Sequence, residues 1–283
     1  MRSLNTVAVI GATGTVGCRV VARLRARGVA VVEISRAQGV DVVSGQGLSR
    51  ALEGADVVVD VSDPAPADGW SDIDRALSTA TRNVVGACVA NHIRRLVVLT
   101  IAGIDDPAFD GLPNFEAKRL AKNMVLESPV PASIVKSTQA YEFATNPAAV
   151  TYSDDEVAVE DWLIQPIAAD SIADVLVEAA LAQTHMPRTI AGPHPMRLPE
   201  VTAKLLARQG DERRVRAVRP PRTGFGAGAL LAPDAAIVLG PDIDTWLHTL
   251  APTGTDGSPT PDGHKQRVAT ADDVGCADRN GKR

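Results

Sequence analysis

The chain has 283 residues, of which 45% are hydrophobic, and it carries a formal net charge of −5 at pH 7. This composition is typical of a globular protein with one large core, or with one core and a small added subdomain. The acidic balance argues against a general nucleic-acid or anionic-membrane binder. No apolar run approaches the roughly 18 residues that a membrane span needs.

Short apolar runs rich in Val and Ile alternate with amphipathic stretches through the first half of the chain. The apolar runs predict five buried strands, at Thr6–Ile10, Ala30–Ile34, Ala55–Val61, Arg95–Thr100 and Ala132–Val135. The amphipathic stretches predict three helices, at Thr15–Arg27, Asp72–Asn91 and Pro113–Glu127. Such alternation predicts an α/β fold of the Rossmann type, with a doubly wound parallel sheet covered on both faces.

A further apolar segment, Val40–Val43, follows the second strand after only about five residues. A parallel crossover normally needs a dozen residues or more. Either a loop replaces the usual helix and Val40–Val43 is a strand, or the segment is not paired in the sheet. We favour the first alternative.

After residue 136 the periodicity is less regular. We predict a helix at Gln165–Ala182, a short strand at Arg188–Ala191 and a helix at Pro199–Arg208. A basic run with alternating Val, from Glu212 to Arg222, predicts a half-exposed strand. Residues 251–283 are rich in Gly, Pro, Thr and Asp, and we expect them to be a disordered tail.

A glycine-rich loop lies between the first strand and the first helix, with glycines at Gly11, Gly14 and Gly17. Gly11 permits a sharp turn, Gly14 leaves room for a pyrophosphate, and Gly17 lets the helix pack closely on the sheet. Backbone N–H groups at the helix N-terminus favour phosphate groups. The loop therefore predicts a dinucleotide site, with further contacts from Thr13, Thr15 and Val16.

The run VAVIGATGTVG, with later segments such as ADVVVDVS, RRLVVLT, NFEAKRLAKNMV and ASIVKSTQAYEF, resembles the atypical short-chain dehydrogenase/reductases, in particular the NmrA-like NAD(P)-binding group. The resemblance spans roughly residues 5–250. It implies a cofactor across the top of the sheet, an NAD(P)-binding domain over residues 1–136, and a smaller C-terminal substrate-binding region over residues 137–250.

The end of the second strand predicts which dinucleotide is bound. A carboxylate there bonds the ribose hydroxyls of NAD and repels a 2′-phosphate. By the resemblance that position is Ser35, and Arg36 follows it. A hydroxyl and a guanidinium suit a phosphate, so we expect NADP(H). NAD(H) is the alternative, because Glu33 lies near the same distance from the loop and alternates onto the same face as Ser35.

The resemblance also implies a catalytic Tyr four residues before a Lys, with a Ser or Thr at the end of the preceding strand. Lys118 and Thr100 match this pattern, and both are also expected to contact the cofactor. The Tyr position is Asn114, whose amide is no acid near neutral pH. Tyr141 is a candidate donor instead, and ordinary aromatic packing is its other interpretation. Together with Gln139 and Phe143, it is also a candidate for the substrate pocket.

Polar groups after the third strand are further candidates for cofactor binding. We expect Val61 and Ser62, with Asp60, to contact the cofactor ribose, because ligands lie at the carboxyl ends of such strands. The neighbouring aspartates have no histidine partners, and the five histidines show no metal-ligand spacing, so no metal site is predicted. Three scattered cysteines, Cys18, Cys88 and Cys276, are consistent with reduced thiols. The N-terminal segment does not resemble a signal peptide, and we expect a cytoplasmic protein.

Two functions are consistent with these features. The first is an NADP(H)-dependent oxidoreductase acting on a small molecule of the quinone or carbonyl type, and this is the one we favour. The alternative is a non-catalytic NAD(P)-binding redox sensor of the NmrA type, which would require a protein partner. Asn114 favours the sensor, whereas Lys118 and Thr100 favour the enzyme.

Overall fold

The computed structural model describes residues 6–64, 73–181 and 188–250. The strands are β1 (Thr6–Ile10), β2 (Ala30–Ile34), β3 (Val57–Asp60), β4 (Arg95–Ile101), β5 (Ala132–Ser137), β6 (Val150–Tyr152), β7 (Glu156–Glu160), β8 (Leu163–Ile164), β9 (Arg188–Ala191), β10 (Met196–Arg197), β11 (Arg214–Val218) and β12 (Ile237–Val238). The α-helices are α1 (Thr15–Ala26), α2 (Leu48–Ala51), α3 (Ile73–Ala90), α4 (Pro113–Leu126), α5 (Ala169–Leu181), α6 (Leu198–Gln209), α7 (Thr223–Ala227) and α8 (Ile243–Thr249).

A seven-stranded sheet in the order β12-β9-β5-β4-β3-β1-β2 forms the centre of the molecule. Every pair of neighbouring strands in it is parallel. The chain moves from β1 outward to β2 and then returns to place β3 on the other side of β1. The strand order therefore reverses at β1, and the predicted doubly wound parallel sheet of the Rossmann type is confirmed.

Side chains that alternate along the strands cover the two faces of the sheet. Val7 and Val9 of β1 pack with α1 and α5 in one apolar cluster, whereas Ala8 and Ile10 pack with α2, α3 and α4 in another. Because each strand is buried on both faces, its sequence is continuously apolar rather than alternating. This explains why the central strands could be predicted from composition alone.

The prediction of a strand at Val40–Val43 is wrong. The segment is a turn between a 3₁₀-helix at Arg36–Gln38 and α2, and β2 is the edge of the sheet. The side-chain amide of Asn83 donates hydrogen bonds to the carbonyls of Val42 and Val43, at 3.0 and 2.9 Å. An α3 side chain thus satisfies backbone groups that a neighbouring strand would otherwise pair.

A second, smaller core lies beyond β5. A three-stranded sheet, β11-β7-β6, packs with α6 and α8 around apolar side chains that include Tyr141 and Trp246. The predicted half-exposed strand in the basic run is confirmed as β11. The predicted helix from Gln165 begins only at Ala169, because residues before it continue an extended connection.

Three predicted features extend beyond the residues that the structure describes: residue 72, the first of the helix predicted at Asp72–Asn91, residue 182, the last of the helix predicted at Gln165–Ala182, and the whole 251–283 segment. Within the described ranges, none of the helices combines the length and apolar character needed to cross a bilayer. The central sheet also takes β9 and β12 from the chain after residue 136, so the C-terminal half contributes to both cores.

Candidate functional site

The glycine loop joins β1 to α1 and lies against the end of β3. Gly11 has a φ of +80°, and a Cβ atom there would lie 3.0 Å from the Cα atom of Ser62. A Cβ atom on Gly17 would lie 2.0 Å from the carbonyl oxygen of Gly11. At Gly14 the nearest atom to an added Cβ is that same oxygen, at 3.4 Å. The first and third glycines are thus required by close contacts, and the second leaves open space above the loop.

Helix α1 begins at this loop with a terminus suited to an anion. Gly14 is its N-cap residue, no side chain caps the helix there, and its first turn contains no acidic residue. Thr13 is exposed, whereas Thr15 and Val16 are half-buried beside it. Backbone N–H groups at such a terminus bind phosphate groups without help from a positively charged side chain.

At the end of β2, the two candidates for contact with the cofactor ribose, Glu33 and Ser35, have different surroundings. Glu33 forms an ion pair with Arg25 of α1. Strand β2 ends at Ile34, and Ser35 is the N-cap residue of the 3₁₀-helix, where its hydroxyl contacts the side chain of Gln38. Arg36 is exposed, and no carboxylate within the described residues lies at ion-pair distance from it.

A polar turn follows β3 at the switch in strand order. Asp60 accepts hydrogen bonds from the backbone N–H and the hydroxyl of Ser62, at 2.9 and 2.7 Å. Burial raises the pKa of the Asp60 carboxyl above its ordinary value, although the two bonds from Ser62 and the nearby Lys118 oppose this effect. Val61 lies between Asp60 and Ser62 in the chain, and its backbone N–H donates to the carbonyl of Ile10.

Thr100 and Lys118 lie in one cavity with the Asp60 turn. This cavity, which we call the α4 cavity, has a volume of about 50 Å³ and lies between the sheet, α3 and α4. Its polar lining consists of Asp60, Ser62, Thr81, Thr100, Lys118 and Lys122. The predicted Lys and Thr are therefore brought together, and Ser62 connects them to the glycine loop through its contact with Gly11.

Asn114, the residue at the expected Tyr position, is exposed near the start of α4 and does not line the α4 cavity. One turn further along the helix, the Lys118 ammonium lies 2.6 Å from the Asp63 carboxylate. Asp63 is 76% exposed, so this ion pair lies at the solvent boundary, where such a contact contributes little to stability.

Tyr141 lies in the second core rather than in the α4 cavity. Its ring is 1% exposed, stacks on Trp246 at a centroid distance of 4.8 Å, and its hydroxyl donates to the Pro241 carbonyl at 3.2 Å. Burial raises the pKa of Tyr141 to about 12. These contacts favour the packing interpretation over that of a proton donor.

The other two substrate candidates lie on either side of Tyr141. Phe143 is half-buried and stacks on Trp162 at 5.5 Å. The side-chain oxygen of Gln139 is buried, and it accepts no hydrogen bond within the described residues. A buried acceptor without a donor is uncommon and is consistent with a ligand that would supply one.

Sequence reasoning missed Lys122, which is buried in the wall of the α4 cavity and forms an ion pair with Asp105. Lys136 of β5 shares that carboxylate at 3.0 Å. Nearby lysines hold the pKa of Asp105 below its usual range, against the effect of burial. Lys122 is four residues after Lys118, so helical spacing alone could have placed it on the same face.

A family model described as NAD(P)H-binding matches residues 11–183, which is more than half of the chain. This chain belongs to the NAD(P)H-binding family. The finding agrees with the resemblance to NAD(P)-binding atypical short-chain dehydrogenase/reductases. None of the curated proteins compared with the sequence matches it.

Solved structures share the fold of this NAD(P)H-binding family member at low sequence identity. A GDP-6-OMe-4-keto-L-xylo-heptose reductase from C. jejuni is 13% identical, with a TM-score of 0.61 over 97% of this chain and 96% of that one. UDP-glucose 4-epimerase from Thermus thermophilus, in complex with NAD, is 14% identical, with a TM-score of 0.61 over 87% and 94%. An NADPH-dependent quinone oxidoreductase from Escherichia coli, complexed with NADPH, is 17% identical, with a TM-score of 0.53 over 78% and 81%.

The residues of this chain fit the cofactor that the family implies. The space above Gly14, the uncapped start of α1 and the close contact of Gly11 with Ser62 form a cradle open to a pyrophosphate. The cradle lies at the carboxyl end of β1, where the strand order reverses and where sheets of this type bind their ligands.

Proposed function

We propose that this protein is an NADP(H)-dependent oxidoreductase that reduces a small carbonyl or quinone compound. The observation that carries the proposal is that Thr100 and Lys118 line one cavity, which Ser62 connects to the glycine loop. A hydroxyl and an ammonium at the carboxyl ends of β3 and β4 are groups that can orient a nicotinamide ribose and a substrate oxygen. A protein that only binds the nucleotide does not need both the Thr100 hydroxyl and the Lys118 ammonium.

Each side chain then has a defined part. The glycine loop and α1, from Gly11 to Gly17, bind the pyrophosphate, with Thr13, Thr15 and Val16 beside it. Val61 and Ser62 contact the ribose, Lys118 donates to the ribose hydroxyls, and Thr100 donates to the substrate oxygen. The bound reduced nicotinamide supplies a hydride.

The preference for the phosphorylated cofactor rests on the end of β2. Ser35 and Arg36 bind the 2′-phosphate, since Arg36 is exposed and has no carboxylate partner within the described residues. Glu33 is already paired with Arg25, which makes it less suited to bond the ribose hydroxyls of NAD. With Glu33 paired to Arg25, a 2′-phosphate meets less repulsion there than an unpaired carboxylate would cause.

The substrate would enter between the two cores, where residues 137–250 begin. Gln139 offers a buried acceptor and Phe143 a half-buried ring at the end of β5. An amide oxygen and an aromatic surface are compatible with a planar carbonyl or quinone compound. One of the structural neighbours is named as a quinone oxidoreductase, which supports testing that class first.

Calorimetric titration with NADPH, NADP⁺, NADH and NAD⁺, followed by assays with quinones and carbonyl compounds, tests the proposal. We expect NADPH to bind at least about tenfold more tightly than NADH, and Thr100→Val to lower turnover more than it lowers NADPH affinity. Lys118→Met should lower both turnover and NADPH affinity. Lys204→Met is the matched control, because Lys204 pairs with Asp244 on α8, away from the α4 cavity. Binding of none of the four nucleotides would refute the proposal.

A second candidate function is a non-catalytic NAD(P) sensor that acts on a protein partner. The exposed position of Asn114 and the buried position of Tyr141 favour it, because neither residue supplies an acid beside Thr100. A sensor should bind the oxidised cofactor more tightly than the reduced one and should reduce no quinone or carbonyl compound in the panel.

A further inference from the structure

Asp60 is the half-buried residue that supplies the carboxyl group of the α4 cavity. It is the last residue of β3, between Ile10 of β1 and Val98 of β4 in the sheet. Because Val58 faces the α3 and α4 side, alternation along the strand directs Asp60 to that side too. Its Oδ1 atom accepts both hydrogen bonds from Ser62, and the cavity connects it to Thr100.

Within the described part of the chain, polar and titratable groups of α3, α4 and the turn after β3 face Asp60. Helix α4 contributes Lys118 and Lys122, α3 contributes the hydroxyl of Thr81 and the buried thiol of Cys88, and the turn after β3 contributes Asp63. Burial raises the pKa of the carboxyl more than Ser62 and Lys118 lower it. The surroundings thus shift the carboxyl towards its protonated form relative to a free aspartate, although a lysine lies nearby.

Reduction of a carbonyl or quinone needs a proton that the family's usual residue does not supply here. An amide stands at that position, Asn114. The chain has two tyrosines: Tyr141 donates to a backbone carbonyl in the second core, and Tyr152 lies under the Arg213 guanidinium on β6. Within the described residues, neither tyrosine lines the α4 cavity.

We propose that Asp60 holds the proton for the reduction and passes it through the α4 cavity to the substrate oxygen at Thr100. This inference rests on the proposed function. The substrate carbon gains a hydride from the reduced cofactor, which becomes NADP⁺, and the substrate oxygen gains the proton as the O–H bond of Asp60 breaks. The Asp60 carboxylate left behind is stabilised by Lys118 and Ser62, and it takes a new proton from solvent.

The α4 cavity has the chemistry for such a transfer. At about 50 Å³ it has room for at least one water molecule, and its polar lining offers the several partners that a buried water needs. Thr100 and Thr81 carry hydroxyls, which both donate and accept. Lys122, already paired with Asp105, adds a positive charge that favours the carboxylate once the proton has left.

Nuclear magnetic resonance of protein labelled with ¹³C at the aspartate carboxyls tests the proposal without any substrate. The Asp60 signal is assigned by its loss in Asp60→Asn, which keeps the oxygen that accepts from Ser62. We expect this signal to titrate above the ordinary aspartate value of about 4, and Lys118→Met to move the midpoint higher still. A carboxyl fully ionised at neutral pH, with and without NADPH, would overturn the proposal.

The pH dependence of turnover provides the second readout, with whichever quinone or carbonyl compound the wild type reduces. Asp60→Asn should lower turnover by about a hundredfold and remove the alkaline fall in rate. Asp74→Asn is the control, because Asp74 is exposed at the start of α3 and does not line the cavity. If the wild-type protein did not bind NADPH, the proposed function would be refuted, whatever the protonation state of Asp60.

Discussion

The Arg19 guanidinium lies 3.0 Å from the Glu142 carboxylate, so the helix that follows the glycine loop is tied to the first turn after β5. The two side chains are 13% and 2% exposed. Arg19 also bonds Asp170 of α5, and Arg23 continues the network to Asp170 and Asp174. The position of α1 relative to the second core therefore depends on a buried charge pair.

Arg19→Met should destabilise the protein by about 3–5 kcal/mol at neutral pH, because it leaves a buried carboxylate without its cation. Urea denaturation measures the change. Arg23→Met is the matched control one turn later, where the partners are half-exposed and the expected loss is roughly 0–1 kcal/mol. Equal losses in the two variants would contradict the special role of the buried pair, and Arg19→Met/Glu142→Gln should recover part of the loss.

The same pair predicts a pH dependence. Burial raises the pKa of Glu142, and Arg19 opposes this effect. A carboxyl with a raised pKa binds more protons in the folded state than in the unfolded state, so stability falls as pH rises above the ordinary glutamate value of about 4.3. Removing Arg19 should make this fall steeper. A stability difference between Arg19→Met and wild type that did not shrink at acidic pH would contradict this prediction.

Two glycine substitutions should separate folding from cofactor binding. Gly17→Ala places a methyl group 2.0 Å from the Gly11 carbonyl oxygen and should lower stability by at least about 1–3 kcal/mol through overpacking. Gly14→Ala meets its nearest atom at 3.4 Å, so it should fold normally but bind NADPH at least about tenfold more weakly. Thermal denaturation and calorimetry measure the two effects. Unchanged NADPH affinity in Gly14→Ala would show that the pyrophosphate does not lie over this loop.

Arg36→Ala should weaken NADPH binding by about tenfold or more and leave NADH binding unchanged, because only the former carries a 2′-phosphate. Arg27→Ala is the control, since Arg27 follows the last residue of α1, at the opposite end of that helix from the glycine loop. Ser35→Asp should lower NADPH affinity further by adding a like charge. If Arg36→Ala bound NADPH as tightly as wild type does, Arg36 would be excluded from the site.

Tyr141→Phe should cost about 0.5–1.5 kcal/mol of stability, because it removes the buried hydrogen bond to Pro241. We expect NADPH affinity and turnover to stay at the wild-type level, since the ring still stacks on Trp246. Chemical denaturation and steady-state assays measure the two quantities. Normal stability with abolished turnover would instead assign Tyr141 as the proton donor.

The amino-acid sequence by itself determined the features that depend on neighbours along the chain. The apolar runs of β1 to β5, the amphipathic period of α1 and the spacing of Gly11, Gly14 and Gly17 are local patterns, so the sheet class and the loop could be predicted from them. The segment Val40–Val43 shows the limit of this reasoning. Its apolar composition suits a strand, but Asn83, some forty residues later, binds its carbonyls.

Only the tertiary structure decided which side chains of the site lie together. Strand alternation places Glu33 and Ser35 on the same face, so the sequence favoured neither as the ribose contact. The structure distinguishes them, because β2 ends at Ile34 and Glu33 is paired with Arg25. Tyr141 is packed on Trp246, and Asp60 shares a cavity with Thr100 and Lys118, through contacts between residues far apart in the chain. Burial and charge pairing arise from such contacts, and no local pattern encodes them.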